Sequence, residues 1–271
     1  MKKFAALLLA LAMLFAFASC GGNEKDPTPA SSEPVSSEQP SEQSEVPQDD
    51  PAVKGEGVMT HAEYMAAEDG ADVVIEAYVQ AKQSWWADKA TLYLADKDGA
   101  YFAYNAACTQ DDYAKLEKGT KVKVTGKKTS WAGEIEVAEG AAIEIEAGNF
   151  VADIFDATAL LANEEELIKH QNEFVTFKGL TVAAKADGDE ELAFFYNWDN
   201  SGEEGSDSDL YFDAALDDNV YTFVVEYYLC NEESDVYQAV QNLNPGDVID
   251  VEGFLYWYNG QQAQITSLKI A

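Results

Sequence analysis

The strongest constraint in this sequence is an internal repeat. Residues 116–126, LEKGTKVKVTG, align without a gap on residues 243–253, LNPGDVIDVEG, at an offset of 127. The same offset relates two motifs of an aromatic residue, any residue and glycine, at residues 131–133 and 258–260. Self-similarity at a fixed period indicates a duplicated structural unit. We therefore expect two related domains in the C-terminal part of the chain.

Each copy has the same predicted order of elements. Thr60 and Glu63 have the spacing of a helix capping box, and Asn163 and Glu166 repeat it, so each copy opens with a short helix. A strand follows, then a two-stranded hairpin, for which residues 98–99 supply an Asp-Gly turn in the first copy. A second short helix and a glycine-bounded hairpin complete each unit. The pattern predicts five strands, with a helix between the third and the fourth.

This order resembles OB-fold domains, in which five short strands close into a barrel. The glycine and aromatic spacing is similar to that of OB-type domains found in tandem in extracytoplasmic bacterial lipoproteins and nucleases. The resemblance implies an all-β fold class with short helices and two tandem five-stranded barrels. We expect OB-fold domain 1 at residues 58–150 and OB-fold domain 2 at residues 151–271.

The N-terminal residues have the pattern of an export signal. Residues 1–20 join two lysines to an apolar run that is too short for a comfortable membrane span. The run ends in Ala18-Ser19-Cys20-Gly21-Gly22, which resembles a lipobox and implies a lipid on Cys20. Cleavage after Ala18 by an ordinary signal peptidase is the alternative. The resemblance implies a bacterial protein anchored to the cell membrane and facing the extracytoplasmic side.

Residues 21–57 separate this leader from the repeat. They are rich in Ser, Glu, Gln and Pro and have no apolar periodicity, so they cannot bury enough surface to offset their ordering entropy. We expect a disordered tether that holds the folded domains away from the membrane.

The charge of the chain disfavours polyanionic partners. There are 50 Asp and Glu residues against 17 Lys and no Arg, for a formal net charge of −33. Residues 58–150 carry nine Lys and 16 acidic residues, a net charge of −7, whereas residues 151–271 carry four Lys and 25 acidic residues, a net charge of −21. A surface this negative repels phosphate backbones. An anionic partner would have to bind the first domain.

The tryptophans are the candidate ligand-binding residues. OB folds bind ligands with strands two and three and with the loops joining strands one to two and four to five, and all five tryptophans fall in or beside those loops. Flat rings there suit stacking on sugars or bases, although they could instead cap the barrel ends. The predicted stacking residues are Trp85, Trp86, Trp131, Trp198 and Trp257.

A lysine-rich strand is the candidate anion site. Lys121, Lys123 and Lys127 lie in a cluster of six lysines between residues 115 and 128. Because Lys121 and Lys123 alternate with valines, they also fit the solvent face of a half-buried strand.

The sequence gives little indication of catalysis, metal binding or disulfide formation. The only two histidines, His61 and His170, fall in the opening helices, so we predict no catalytic residues, no metal site and no cofactor. The acidic loop at residues 185–209 departs from the EF-hand template, which leaves calcium binding open. Cys108 and Cys230 hold equivalent places in the repeats, and we favour two separate thiols over a disulfide.

Together these features predict a non-enzymatic, lipid-anchored extracytoplasmic binding protein. Its ligand is expected to be a polysaccharide or a protein. The first alternative is a nucleic-acid-binding module acting through domain 1, and the second is a surface scaffold without a small ligand. The sequence does not specify the ligand, the orientation of the domains or the oligomeric state.

Overall fold

The computed structural model describes residues 50–271. The predicted signal segment, Cys20 and residues 21–49 of the predicted tether lie outside the described residues. Within the described part, no helix is long and apolar enough to cross a membrane.

The first barrel contains two helices and six strands. Helix α1 spans His61–Ala66, and Thr60 and Glu63 form the predicted capping box. The other elements follow in chain order: β1 (Asp72–Lys82), β2 (Lys89–Ala95), β3 (Ala100–Ala107), α2 (Gln110–Tyr113), β4 (Thr120–Trp131), β5 (Glu134–Val137) and β6 (Ala142–Asn149). The sheet closes because β1 pairs with both β2 and β4, and β3 pairs in parallel with β5 and β6. Thus β5 and β6 are two halves of one fifth strand.

The second barrel repeats this plan with an insertion between its first two barrel strands. Asn163 accepts a hydrogen bond from the Glu166 amide and caps the opening helix, as predicted. The elements are β7 (Phe155–Asp156), a 3₁₀ turn (Thr158–Leu160), α3 (Glu164–Leu167), a 3₁₀ turn (Ile168–His170), β8 (Phe174–Ala183), β9 (Lys185–Asp187), β10 (Glu190–Leu192), β11 (Phe194–Tyr196), β12 (Leu210–Leu216), β13 (Asn219–Val225), α4 (Asp235–Gln241), β14 (Val248–Phe254) and β15 (Gln264–Ile270).

Closure of both sheets confirms the predicted tandem OB-folds. In the second barrel, β8 pairs with β12 and β14, β12 pairs with β13, and β15 joins β13 in parallel and β14 antiparallel. The aligned glycines also have the same backbone conformation, with φ of 93° at Gly119 and 94° at Gly246. At the hairpin tips the residues before glycine match as well, with φ of 53° at Ala132 and 54° at Asn259. The repeat is therefore structural at the level of single turns.

Each barrel has its own apolar core. Alternate residues of β4 point inward, so Val122 and Val124 are fully buried while Lys121 and Lys123 are partly exposed. In the second barrel, Phe177, Phe212 and Phe223 pack together at ring distances of 5.6 Å. Because each core is enclosed within its own barrel, contacts between the two barrels are made by residues on their outer surfaces.

A third apolar cluster joins the two barrels. Tyr93 of β2 stacks on Phe254 of β14 with ring centroids 4.4 Å apart, and Phe102 of β3 meets Tyr256 at 5.5 Å. Tyr93 also donates a hydrogen bond to Gln264 of β15. Strands β2 and β3 form the face that OB folds use for ligands. The second barrel covers much of this face of the first barrel.

Candidate functional site

The tryptophans predicted to stack on a ligand have different environments. Trp257 is 4% exposed and packs in the core of the second barrel, so its ring does not reach a ligand surface. Trp85 is half-buried, and its indole N–H donates to the Cys108 carbonyl oxygen at 2.9 Å. By contrast, Trp86, Trp131 and Trp198 are exposed by 55%, 62% and 74%. Only these last three offer an accessible ring.

Trp131 and Trp198 line one groove, which we name the aromatic groove. It has a volume of about 610 Å³. Trp131 comes from the β4–β5 hairpin tip of the first barrel, whereas Trp198 comes from the loop between β11 and β12 of the second. The other lining residues are Tyr211, Tyr256, Tyr258, Gln262 and Gln264. The second barrel thus contributes residues from the strands and loops that OB folds use for ligands, and the first barrel adds a ring.

Backbone contacts between the two barrels position Trp131. The Asn259 amide donates to the Ala132 carbonyl oxygen at 2.6 Å, joining the two equivalent hairpin tips. Gln171 holds the same hairpin, since its side chain donates to the Gly133 carbonyl oxygen and accepts from the Ile135 amide. A Cβ added at Gly133 would come within 2.7 Å of the Trp257 ring. The close approach of the two barrels therefore requires glycine at this tip.

A buried carboxyl group lies beneath this contact. Glu134 has no exposed surface, and its Oε2 accepts the Trp257 amide at 2.9 Å. Burial raises the pKa of Glu134 to about 8, against smaller opposing effects of the Asn172 side chain and the Trp257 amide. Its Oε1 has no hydrogen-bond partner among the described residues. A buried acid of this kind is held neutral near pH 7.

No lysine lines the aromatic groove. Its polar groups are the amides of Gln262 and Gln264 and the tyrosine hydroxyl groups, which both donate and accept hydrogen bonds. Burial raises the pKa of Tyr211 to about 12, so this hydroxyl stays protonated at neutral pH. The groove is therefore apolar in its walls and neutral in its hydrogen-bonding groups.

The predicted anion contacts are surrounded by carboxylates. Lys121 is 12% exposed at its side chain and lies 3.4 Å from Glu76 and 3.7 Å from Glu146. Lys127 pairs with Asp72 at 2.7 Å. Lys123 is flanked in register by glutamates of β1 and β6. Most of the positive charge on this strand is offset by acidic neighbours.

A second opening lies where the barrels meet, and we name it the seam cleft. Its volume is about 460 Å³. It contains Trp86, together with Tyr104 and Tyr228, which are exposed by 41% and 49%. The remaining lining residues are Gln83, Ser84, Thr91, Asn105 and Glu226. The accessible tryptophans are thus divided between two openings.

Cys108 and Cys230 are free thiols, as favoured from the sequence. Within residues 50–271, no group of three or more His, Cys, Asp or Glu side chains is arranged to hold a metal ion. His61 is half-buried against Tyr101, with ring centroids 5.1 Å apart, and burial lowers its pKa. His170 stacks on Phe155 and contacts Glu173. Both histidines make packing contacts.

The tyrosines of the two openings are the residues that sequence reasoning missed. Tyr256 and Tyr258 flank the buried Trp257, and alternation along an extended segment directs them to the opposite side. The sequence therefore contained a signal that Tyr256 and Tyr258 lie on the side opposite Trp257. No sequence signal indicated Tyr104 and Tyr228, because the seam cleft forms only when the two barrels meet.

No family model and no curated protein matches this chain. Among solved structures, the chain is similar to the Ifi202 HINa domain in complex with 20bp dsDNA, at 14% identity over 68% of this chain and 86% of that one, with a TM-score of 0.30. A mutant of the single-stranded DNA binding protein from Thermus aquaticus matches at 14% identity over 75% and 95%, with a TM-score of 0.25.

An aspartyl tRNA synthetase from Entamoeba histolytica matches at 15% identity and a TM-score of 0.28. The match covers 41% of this chain and only 27% of the synthetase. At TM-scores this low, the similarities carry no conclusion about function, and the assignment of the fold rests on the strand pairing described above.

Proposed function

We propose that this protein is a non-catalytic, lipid-anchored extracytoplasmic binding protein whose aromatic groove holds an uncharged polysaccharide chain. One observation carries the proposal. Two highly exposed tryptophans, Trp131 and Trp198, come from different barrels and line the same groove, whose other lining residues are Tyr and Gln.

The chemistry of the groove matches a sugar chain better than a polyanion. Aromatic rings pack on the apolar faces of sugar rings, and neutral amides and hydroxyls exchange hydrogen bonds with sugar hydroxyls. A phosphate backbone instead needs Lys or Arg, and no lysine lines the groove. An open groove of about 610 Å³ accommodates a segment of an extended chain rather than enclosing a small molecule.

The leader and tether supply the proposed location. Lipidation of Cys20 would fix the N-terminus to a membrane, and a linker of roughly 35 residues would allow the barrels to lie some tens of ångströms from the anchor. A polymer in the cell envelope or outside the cell is within that reach. Metabolic labelling with a radioactive fatty acid tests this part, and Cys20→Ala should abolish the label.

Titration of a glycan array and of neutral oligosaccharides tests the ligand. We expect quenching or a blue shift of tryptophan fluorescence, and about tenfold weaker binding for Trp131→Ala and for Trp198→Ala, since stacking on one ring is worth about 1–3 kcal/mol for nucleobases. Trp86→Ala is the matched control, because Trp86 lies in the seam cleft. Flat titrations across the array would refute the proposal.

Binding of nucleic acid through the first barrel is the second candidate. It is favoured by the OB-fold itself and by the lysines of β4. It requires affinity that falls steeply with salt and with Lys121→Glu and Lys123→Glu. Absence of a gel shift at low salt, with single-stranded and double-stranded DNA, would exclude it.

A further inference from the structure

The seam cleft is built by both barrels. The Ser84 amide and hydroxyl both reach the Tyr228 carbonyl oxygen, at 2.7 and 3.2 Å, and join the β1–β2 loop to the turn after β13. A tight turn, with φ of 48° at Ala87 and 58° at Asp88, projects Trp86 from that loop. The cleft therefore depends on docking of the two barrels.

Three exposed rings surround the cleft, and one of them already contacts a cation. The Lys89 Nζ lies 4.8 Å from the centroid of the Trp86 ring while its charge pairs with Glu139 at 2.6 Å. Trp86 also lines the cleft together with Tyr104 and Tyr228, whereas Lys89 is not among the lining residues. Electron-rich aromatic faces attract cations.

Glu226 adds a carboxyl group to this cleft. Its Oε2 accepts the Leu229 amide at 2.6 Å, and no lysine is paired with it within residues 50–271. The ionisable groups that influence it or are influenced by it are acids, phenols and a thiol: Asp209, Tyr211, Cys230 and, from the first barrel, Tyr93. Within the part of the chain that the structure describes, no lysine therefore compensates the charge of Glu226.

We propose that the seam cleft is a binding site for an organic cation, an alkylammonium group held by the faces of Trp86, Tyr104 and Tyr228 and by the carboxylate of Glu226. Such a cation is weakly hydrated, so aromatic faces can replace its water, as in aromatic cages for quaternary ammonium groups. A small metal ion would need several oxygen ligands, which the described residues do not gather. The negative net charge of the protein also attracts cations to its surface.

The charge state of Glu226 makes this binding depend on pH. Burial and the neighbouring Asp209 raise the pKa of Glu226 to about 7. The carboxylate is present above that value and lost below it, so a bound cation is stabilised at pH 8 and weakened at pH 6. Burial raises the pKa values of Cys230, Tyr211 and Tyr93, so these three groups stay protonated in this window.

Titration with choline tests the proposal, with 3,3-dimethylbutan-1-ol as the neutral compound of the same shape. At pH 8, we expect choline alone to change tryptophan fluorescence, with about tenfold weaker binding for Trp86→Ala and for Glu226→Gln. Trp86→Phe should retain most of the affinity, and Trp198→Ala should leave it unchanged. Near-ultraviolet circular dichroism checks that each variant is folded.

Three outcomes would overturn the proposal: no choline binding, equal binding of the neutral compound, or a choline affinity that neither Trp86→Ala nor Glu226→Gln changes. Failure here is distinguishable from failure of the polysaccharide proposal. The latter depends on Trp131 and Trp198, which line the other opening.

Discussion

Replacing the buried Glu134 by glutamine should stabilise the protein at neutral pH. Glutamine keeps an oxygen acceptor for the Trp257 amide and cannot ionise, so it removes the cost of holding an acid in a buried site. The raised pKa of Glu134, about 8 against 4.5 for the free side chain, determines how large the effect is.

The direction and the size of the expected stabilisation follow from the linkage between proton binding and folding. Between pH 4.5 and 8 the folded state binds the proton that the unfolded state has lost, so the wild type loses stability as the pH rises. Each unit is worth about 1.4 kcal/mol, which amounts to about 3 kcal/mol at pH 7 and about 5 kcal/mol at pH 8. The Glu134→Gln variant lacks this loss. At pH 7 its free energy of unfolding should exceed that of the wild type by about 3 kcal/mol.

Chemical denaturation at half-unit steps from pH 5 to 8 measures the difference directly. The buried Glu136, whose pKa is raised to about 7, adds to the slope of both proteins, so only the gap between the two curves reports Glu134. Exposed Glu144 supplies the control, since Glu144→Gln also removes one carboxyl group but leaves the buried site intact. Parallel curves for Glu134→Gln and the wild type would show that the acid is not held neutral and would refute the reasoning.

Two further predictions concern local geometry. Gly253→Ala places a Cβ 2.2 Å from the Gln264 carbonyl oxygen of the paired strand, so it should separate β14 from β15 and cost several kcal/mol. We expect a lower melting temperature or loss of soluble protein, and an unchanged melting temperature would contradict the prediction. Thr60→Ala removes the acceptor for the Glu63 amide and should lower the unfolding free energy by about 1 kcal/mol in urea, whereas Thr60→Ser should not.

Local features of the fold could be read from the sequence because they depend on neighbours along the chain. The helix caps at Thr60 and Asn163, the turn at residues 96–99 and the positive φ of Gly119 and Gly246 depend on short-range sterics and hydrogen bonds. The alternation of Val122 and Lys123 likewise depends only on the period of a strand. The capping box of the first helix, the Asn163 cap of the second and the alternation along β4 were confirmed, and the predicted hairpin turn is a four-residue loop at residues 96–99.

The binding surfaces were only partly predictable. Trp131 and Trp198 were identified from their loops, but neither loop indicates that the two rings share one groove. Trp257 and Tyr256 are adjacent in sequence, yet one is buried and the other lines the groove. Alternation places Trp257 and Tyr256 on opposite sides of this segment, but the barrel decides which of the two sides faces the core.

The sequence by itself determined that there are two OB barrels and where their turns lie, because a repeat of strand periods and turn residues is local information. The tertiary structure decided how the barrels meet. Tyr93 contacts Gln264, 171 residues away, and Glu134 contacts Trp257, 123 residues away. Such contacts depend on complementary shapes of two finished surfaces, which no local pattern encodes. They bury part of one ligand face and create both openings.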